Sequence, residues 1–196
     1  DDPKHPIEGS LKRGATEEFA NKIYDQMISF AAYAFNKAHA AAYTFVTYQT
    51  AYLKTYYPVE YIIGVLNNRL NKPEDIAKYI LYAKRNNYNV YPPDVNKSKT
   101  LFSYENGGIR FGLGALKNMG IAISDRLVEE REINGDYYDI NDLISRANKY
   151  GLNKKGIEAL ILSGALDSFG KPRSVLMEVY EKIAERVSVD KKAQSN

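Results

Sequence analysis

Two consecutive prolines, Pro92 and Pro93, lie near the middle of this 196-residue chain, and no regular helix can pass through them. The first also pushes Tyr91 out of helical geometry. Tyr91-Pro92-Pro93-Asp94 is therefore read as a domain boundary, with residues 1–90 before it, residues 91–187 after it, and residues 188–196 as a frayed polar tail. Clusters of Gly, Pro and Asn cut both parts into short pieces, so the expectation is a mainly α fold of short helices.

In the first part, Pro3, Pro6, Gly9 and Gly14 make an irregular lead-in. Thr16 can cap a helix with Glu17 and Glu18 in its first turn, after which Phe19, Ile23, Met27 and Phe30 recur at helical spacing. Asn36 is the natural cap of a second helix running to about Tyr56, with Phe45, Tyr48, Tyr52 and Tyr56 as a stripe. Pro58 stops that helix and suits the first position of another over residues 59–67. From Glu74, the residues Ile76, Tyr79, Ile80 and Ala83 predict a further amphipathic helix ending near Asn86-Asn87.

The second part changes character. Leu101-Phe102-Ser103-Tyr104 and Ile109-Arg110-Phe111 flank Glu105-Asn106-Gly107-Gly108, which reads as one short β-hairpin with glycines where positive φ is needed. Asp139 and Asn153 are placed to cap helices, Ser163-Gly164 to end one, and Pro172 to start the last. Short helices joined by Gly-containing connectors, with lysines near the helix starts, point to helix-hairpin-helix units at two places. One is Lys117-Asn118-Met119-Gly120-Ile121; the other comprises Leu152 to Ile157, including Lys154 and Lys155, and the connector with Lys171 and Arg173. Backbone N–H groups at such helix starts can hold DNA phosphates, with lysine adding charge and no sequence readout. The same lysines also fit the solvated face of a small helical bundle.

Around Asn36, an amide, a cation and an imidazole gather on an alanine-rich background. The N–H groups and positive dipole end of the helix that Asn36 opens lie beside Lys37 and His39, which is an anion site in outline. Asn36, His39 and Tyr43 are spaced to share one helical face. On these residues alone, a capped helix with a histidine packed closely on a neighbour is the simpler account.

Composition narrows the classes of function. The chain is 44% hydrophobic and 26% charged, ordinary for a soluble globular protein, and no apolar run approaches the length of a membrane span. Its first residues carry no apolar leader, so nothing directs the chain out of the cytoplasm. The absence of cysteine rules out disulfides and thiolate metal sites. Seventeen tyrosines against no tryptophan suit half-buried helix faces and surfaces that meet nucleotides. Asp136, Asp139 and Asp142 lack the glycine and terminal glutamate of a calcium loop and are explained by capping; His5 and His39 have no ligand set around them. A chain like this, if it works on nucleotides, supplies binding groups while another segment supplies the metals.

Tyr33-Ala34-Phe35-Asn36-Lys37-Ala38-His39-Ala40-Ala41-Ala42-Tyr43, then Tyr48 to Lys54 and Tyr57-Pro58-Val59-Glu60-Tyr61, resembles the fingers region of the bacterial C-family replicative DNA polymerases, in their alpha subunits. Pro92 to Asn96, Phe111 to Lys117 and Leu160 to Asp167 look like the tandem helix-hairpin-helix region that follows in that family, and the likeness runs from about Pro6 to Val187. The resemblance implies a helical fingers segment followed by a DNA-binding module, in a subunit that performs template-directed DNA synthesis. It implies that Tyr33, Asn36, Lys37 and His39 face the incoming deoxynucleoside triphosphate, and that Lys117, Asn118, Lys154, Lys155, Lys171 and Arg173 lie where duplex or primer-template DNA is gripped. It further implies Mg2+ held by aspartates of a palm domain that precedes this segment, and, through the other domains, the sliding clamp and clamp loader as partners. Two departures stand out: Ala38 where the family often has serine, and a first hairpin, Met119-Gly120-Ile121-Ala122, without the second glycine of a Gly-x-Gly turn. The rival reading is a stand-alone helix-hairpin-helix DNA-binding or repair accessory protein that uses only the second half.

Overall fold

A computed structural model describes residues 9–33, 36–180 and 182–183; the side chain of Tyr33 and the tail of residues 188–196 lie outside the described residues. The chain divides into two units, Asp1–Ala51 and Tyr52–Asn196.

The helix starts of the first unit follow from local chemistry. Helix α1, Glu17–Tyr33, begins where Thr16 Oγ1 accepts the Phe19 N–H at 3.3 Å, with Glu17 and Glu18 against the positive end of the helix dipole. Helix α2, Lys37–Tyr56, begins where Asn36 Oδ1 accepts the N–H groups of Ala38 at 2.9 Å and His39 at 3.4 Å. The expected apolar faces have no cover: none of the described residues of this unit is buried, and Phe19, Met27, Phe30, Phe45 and Tyr48 are all exposed. Helical periodicity located the faces, but a face is buried only where another element is present to meet it.

The second unit has two apolar clusters. Helices α3, Pro58–Asn67, and α4, Pro73–Arg85, both carry proline at the start, where the missing N–H is harmless. Their Val59, Ile62, Leu66, Ile76 and Ala83 pack with Phe102 and Ile109. Those last two come from a three-stranded sheet of β1, Val90–Tyr91, β2, Ser103–Glu105, and β3, Gly108–Arg110, in the order β1-β3-β2. Strands β2 and β3 form the expected antiparallel hairpin, with positive φ at Asn106 and Gly107, and β1 adds to β3 in parallel. A Cβ on Gly108 would lie 2.6 Å from the Asn89 carbonyl oxygen, so glycine is what lets the chain before β1 approach β3. The double proline accordingly sits within one packing unit: helices before it and strands after it share a cluster, and the Pro92 carbonyl accepts from Arg110 Nη1 at 2.6 Å. Pro92 and Pro93 mark a change of secondary structure rather than a break in packing.

The larger cluster is built from α5, Ile121–Asn134, α6, Ile140–Ala147, α7, Lys154–Ser163, and α8 over residues 173–180, through Met119, Leu127, Leu143, Ile157, Leu160 and Leu176. Asp139 caps α6 and Asn153 caps α7, each accepting a backbone N–H three residues on. Polar side chains lock the connectors. Asn96 and the Tyr137 backbone exchange two hydrogen bonds of 2.9 and 2.8 Å, and the Tyr137 phenol, pushed up to about 12 by burial, donates to the Leu127 carbonyl. Glu130, only 4% exposed, accepts from Tyr150 at 2.5 Å, Asn134 at 2.6 Å, Lys149 at 3.0 Å and Arg146 at 3.2 Å. Among the described residues no helix is long and apolar enough to cross a membrane.

The Glu130 cluster makes stability acid-sensitive. The Tyr150 hydroxyl first, and Lys149 next, pull its carboxyl from 4.5 down to about 2. A depressed folded value means that the stabilisation is complete above about pH 4.5 and lost as pH falls toward 2. Replacing Glu130→Gln should lower the melting temperature at pH 7 and flatten its dependence below pH 4.5, the two curves converging near pH 2. Thermal unfolding followed by circular dichroism across that range checks this; parallel curves would refute it.

Candidate nucleic-acid interface

The first helix-hairpin-helix unit opens with a single 3₁₀ turn, Leu113–Ala115, and passes through Lys117-Asn118-Met119-Gly120 into α5. Met119 is 1% exposed while Lys117, Asn118 and Gly120 are exposed, so one apolar anchor holds the hairpin and turns its backbone outward. Asn118 and Gly120 both have φ of 67°, one on each side of Met119. The turn is thus Asn-x-Gly, with asparagine at the left-handed position where a Gly-x-Gly turn would have its first glycine. Framed as Met119-Gly120-Ile121-Ala122 the hairpin looks one glycine short; framed one step earlier it is complete. The signal was present in the sequence, because asparagine is the side chain that best tolerates this backbone region.

Helix α5 has Gly120 at its cap position, no side-chain cap and no acidic residue in its first turn. Its first N–H groups and the positive dipole end face outward at exposed residues. Helix α7 likewise starts without an acid, with exposed Lys154 and Lys155 in its first turn; Glu158 comes only within 3.8 Å of Lys154. The two starts touch. A Cβ on Gly156 would meet Leu152 Cδ1 at 2.9 Å, Met119 Sδ at 3.5 Å and the Asn118 carbonyl oxygen at 3.7 Å. The first hairpin therefore lies against the first turn of α7 at the buried Gly156, and Lys117, Asn118, Lys154 and Lys155 fall on neighbouring segments.

The other expected pair lies elsewhere. Lys171 and Arg173 are at the far end of α7, one ten-residue helix or about 15 Å away. Lys171 is exposed. Arg173 is engaged internally: Nε and Nη2 donate to the two carboxylate oxygens of Asp167 at 2.8 and 2.6 Å, and Nη1 to the Leu162 carbonyl at 3.2 Å. This bidentate pair holds the Asp167 carboxyl below its usual range and clasps the connector that follows Gly164. Charge at a helix start pointed to a DNA contact; the fork geometry of the guanidinium favours the carboxylate six residues earlier.

In the first unit, Lys37 and His39 are exposed in the first turn of α2. The Asn36 side chain is engaged as the cap, so its carbonyl oxygen points to backbone N–H groups rather than along the His39 face. The His39 ring stacks on Tyr43, centroids 4.3 Å apart, as the four-residue spacing predicts. No group of three or more His, Asp or Glu among the described residues is placed to hold a metal ion. Asp139 is engaged as a cap, and Asp142 accepts from Arg146 and from the Tyr138 backbone.

The helix-hairpin-helix motif family matches residues 87–176. The DNA polymerase III subunit alpha of Borreliella burgdorferi is 38% identical over 94% of this chain and 16% of its own length. That of Thermus aquaticus is 41% identical over 84% of the chain and 13% of the relative, and that of Bacillus subtilis 37% over 88% and 15%. The chain thus spans about one sixth or less of the length of these curated relatives.

The left-handed hairpin gives a direct test. Asn118→Gly should preserve stability, whereas Asn118→Val should cost about 1–2 kcal/mol, because a β-branched side chain is poorly tolerated at positive φ. Urea unfolding of both variants measures the difference; equal stability would refute the assignment.

Proposed function

We propose, for a chain that belongs with the DNA polymerase III alpha subunits, that its second unit grips the backbone of duplex DNA while the start of α2 meets the incoming nucleotide during template-directed synthesis. The observation that carries this reading is the closeness of the Asn118-Met119 hairpin to Gly156, by which two acid-free basic helix starts lie side by side. Paired N–H clusters flanked by lysines suit phosphate oxygens and offer nothing to read base edges. Grip without sequence preference is what a polymerase needs as it moves along its template. Lys37 and His39, at an Asn-capped helix start, suit the neutralisation of triphosphate charge. The divalent ions of nucleotidyl transfer belong, on this reading, to carboxylates outside the chain, as do the surfaces that engage the sliding clamp and clamp loader.

Titration with duplex DNA at stepped salt concentrations tests the grip. The logarithm of affinity should fall linearly with the logarithm of salt, and Lys117→Ala or Lys155→Ala should each reduce the slope by about 1 while weakening all sequences alike. Absence of binding at micromolar DNA in low salt would overturn the proposal. For the nucleotide site, Lys37→Ala in an intact alpha subunit carrying this segment should sharply reduce nucleotide incorporation and leave DNA binding in place. Unchanged incorporation would remove Lys37 from that role.

A further inference from the structure

Glu130 lies three turns along α5 from the hairpin, too far to touch DNA held there, yet it gathers four donors. Arg146 adds bonds to the carbonyls of Glu130 at 3.0 Å and Gly135 at 2.9 Å and stacks over the Tyr137 ring at 4.3 Å. A buried carboxylate with this many partners is costly to disturb, since loss of one partner leaves charge without compensation. What the cluster joins is informative. One side is the body of α5, which follows the hairpin of Lys117 and Asn118; the other is Lys149 and Tyr150, immediately before Gly151, Leu152 and the cap of α7.

The start of α7 is therefore fixed to α5 at two separated points. One is apolar, where Met119 meets Gly156, with Leu152 packed on the same glycine. The other is polar, where Tyr150 and Lys149 meet Glu130. Ile157 and Leu160 hold the body of α7 in the apolar cluster, and the polar point adds a hold on the chain that enters its first turn. Gly151, with φ of 79°, lies between the polar point and that first turn, where the entering chain would give if the polar point were lost.

We propose that the Glu130 cluster is a positioning device that holds the Lys154–Lys155 turn in register with the Lys117–Asn118 hairpin, so that the two act as one phosphate-binding surface. The inference rests on the DNA-binding reading above. Tyr150, Lys149 and Glu130 act through the lysines and make no contact with DNA themselves.

Two variants that keep the bulk of the side chain test it, Tyr150→Phe and Lys149→Met, each first shown to be folded by circular dichroism. In the unaltered chain, Lys155→Ala lowers the salt slope of duplex binding by about 1. In the Tyr150→Phe background, Lys155→Ala should lower it by less than about half as much, because a loosened first turn of α7 no longer presents Lys155 to a phosphate, while Lys117→Ala keeps its full effect in both backgrounds. General loss of stability would not separate the two lysines in this way. Amide hydrogen exchange gives an arm without DNA: residues 151–156 should exchange faster in Tyr150→Phe and in Lys149→Met, with residues 117–119 unchanged. Equal slope effects of Lys155→Ala in both backgrounds, or unaltered exchange at residues 151–156 in both variants, would overturn the proposal. Faster exchange in a chain that binds no DNA would keep the brace and overturn its role in binding.

Discussion

The contact between Met119 and Gly156 is the joint on which the second unit depends. Met119 is the one residue of its hairpin that is fully enclosed, and it lies beside Gly156, where a Cβ would stand 3.5 Å from its Sδ. Once Met119 is seated, the positive φ values of Asn118 and Gly120 turn the flanking backbone outward, and the N–H groups that open α5 have no side-chain cap among the described residues. Burial on one side of the hairpin thus produces exposure of polar groups on the other. The hydrophobic effect supplies the placement and the helix end supplies the electrostatics.

The first unit lives under the opposite condition. Its helix starts are well specified by Thr16 and Asn36, but no described residue of it is enclosed, and aromatic side chains line both helices at the surface. Helices of this length draw most of their stability from packing an apolar face. A pair of helices with such faces uncovered fits a segment that other polypeptide would cover, and the relatives, which match across both units, are about six times as long as this chain. A stand-alone DNA-binding protein using only the second unit would leave these faces without a purpose.

How much of this could be read from the residues depends on how local the cause is. The caps at Thr16, Asn36, Asp139 and Asn153 are legible because donor and acceptor lie within three residues of each other. The hairpin at Asn106-Gly107 is legible for the same reason, and the mainly α fold follows from the helices so bounded. Strand β1 is not, since two residues next to prolines carry no periodicity and pair only because Gly108, far along the chain, leaves room. The double proline signals the end of a helix correctly but says nothing about packing, which Phe102 and Ile109 decide from beyond it. At the candidate site, the lysines at 117, 154 and 155 are singled out by their positions at helix starts; that their segments lie together, at Gly156, no local pattern announces.

The division of labour between arginine and lysine completes the picture. In the second unit Arg69 pairs with Asp75, Arg110 with Glu105, Arg146 with Glu130 and Asp142, and Arg173 with Asp167, while Arg131 donates to the carbonyls of Val95 and Ser98. A planar fork with five donors is suited to carboxylates and carbonyls, and these forks are engaged by them, while Arg85 and Arg126 are exposed, the latter paired with Glu129 on its own helix. Lysine, a mobile point charge, remains at the exposed helix starts, where it can follow a phosphate without fixing which base lies behind it. A surface that reads sequence would be expected to present arginine toward base edges. With most of its described arginines engaged by carboxylates and carbonyls and its lysines exposed at helix starts, the unit carries the kind of surface that the proposed backbone grip requires.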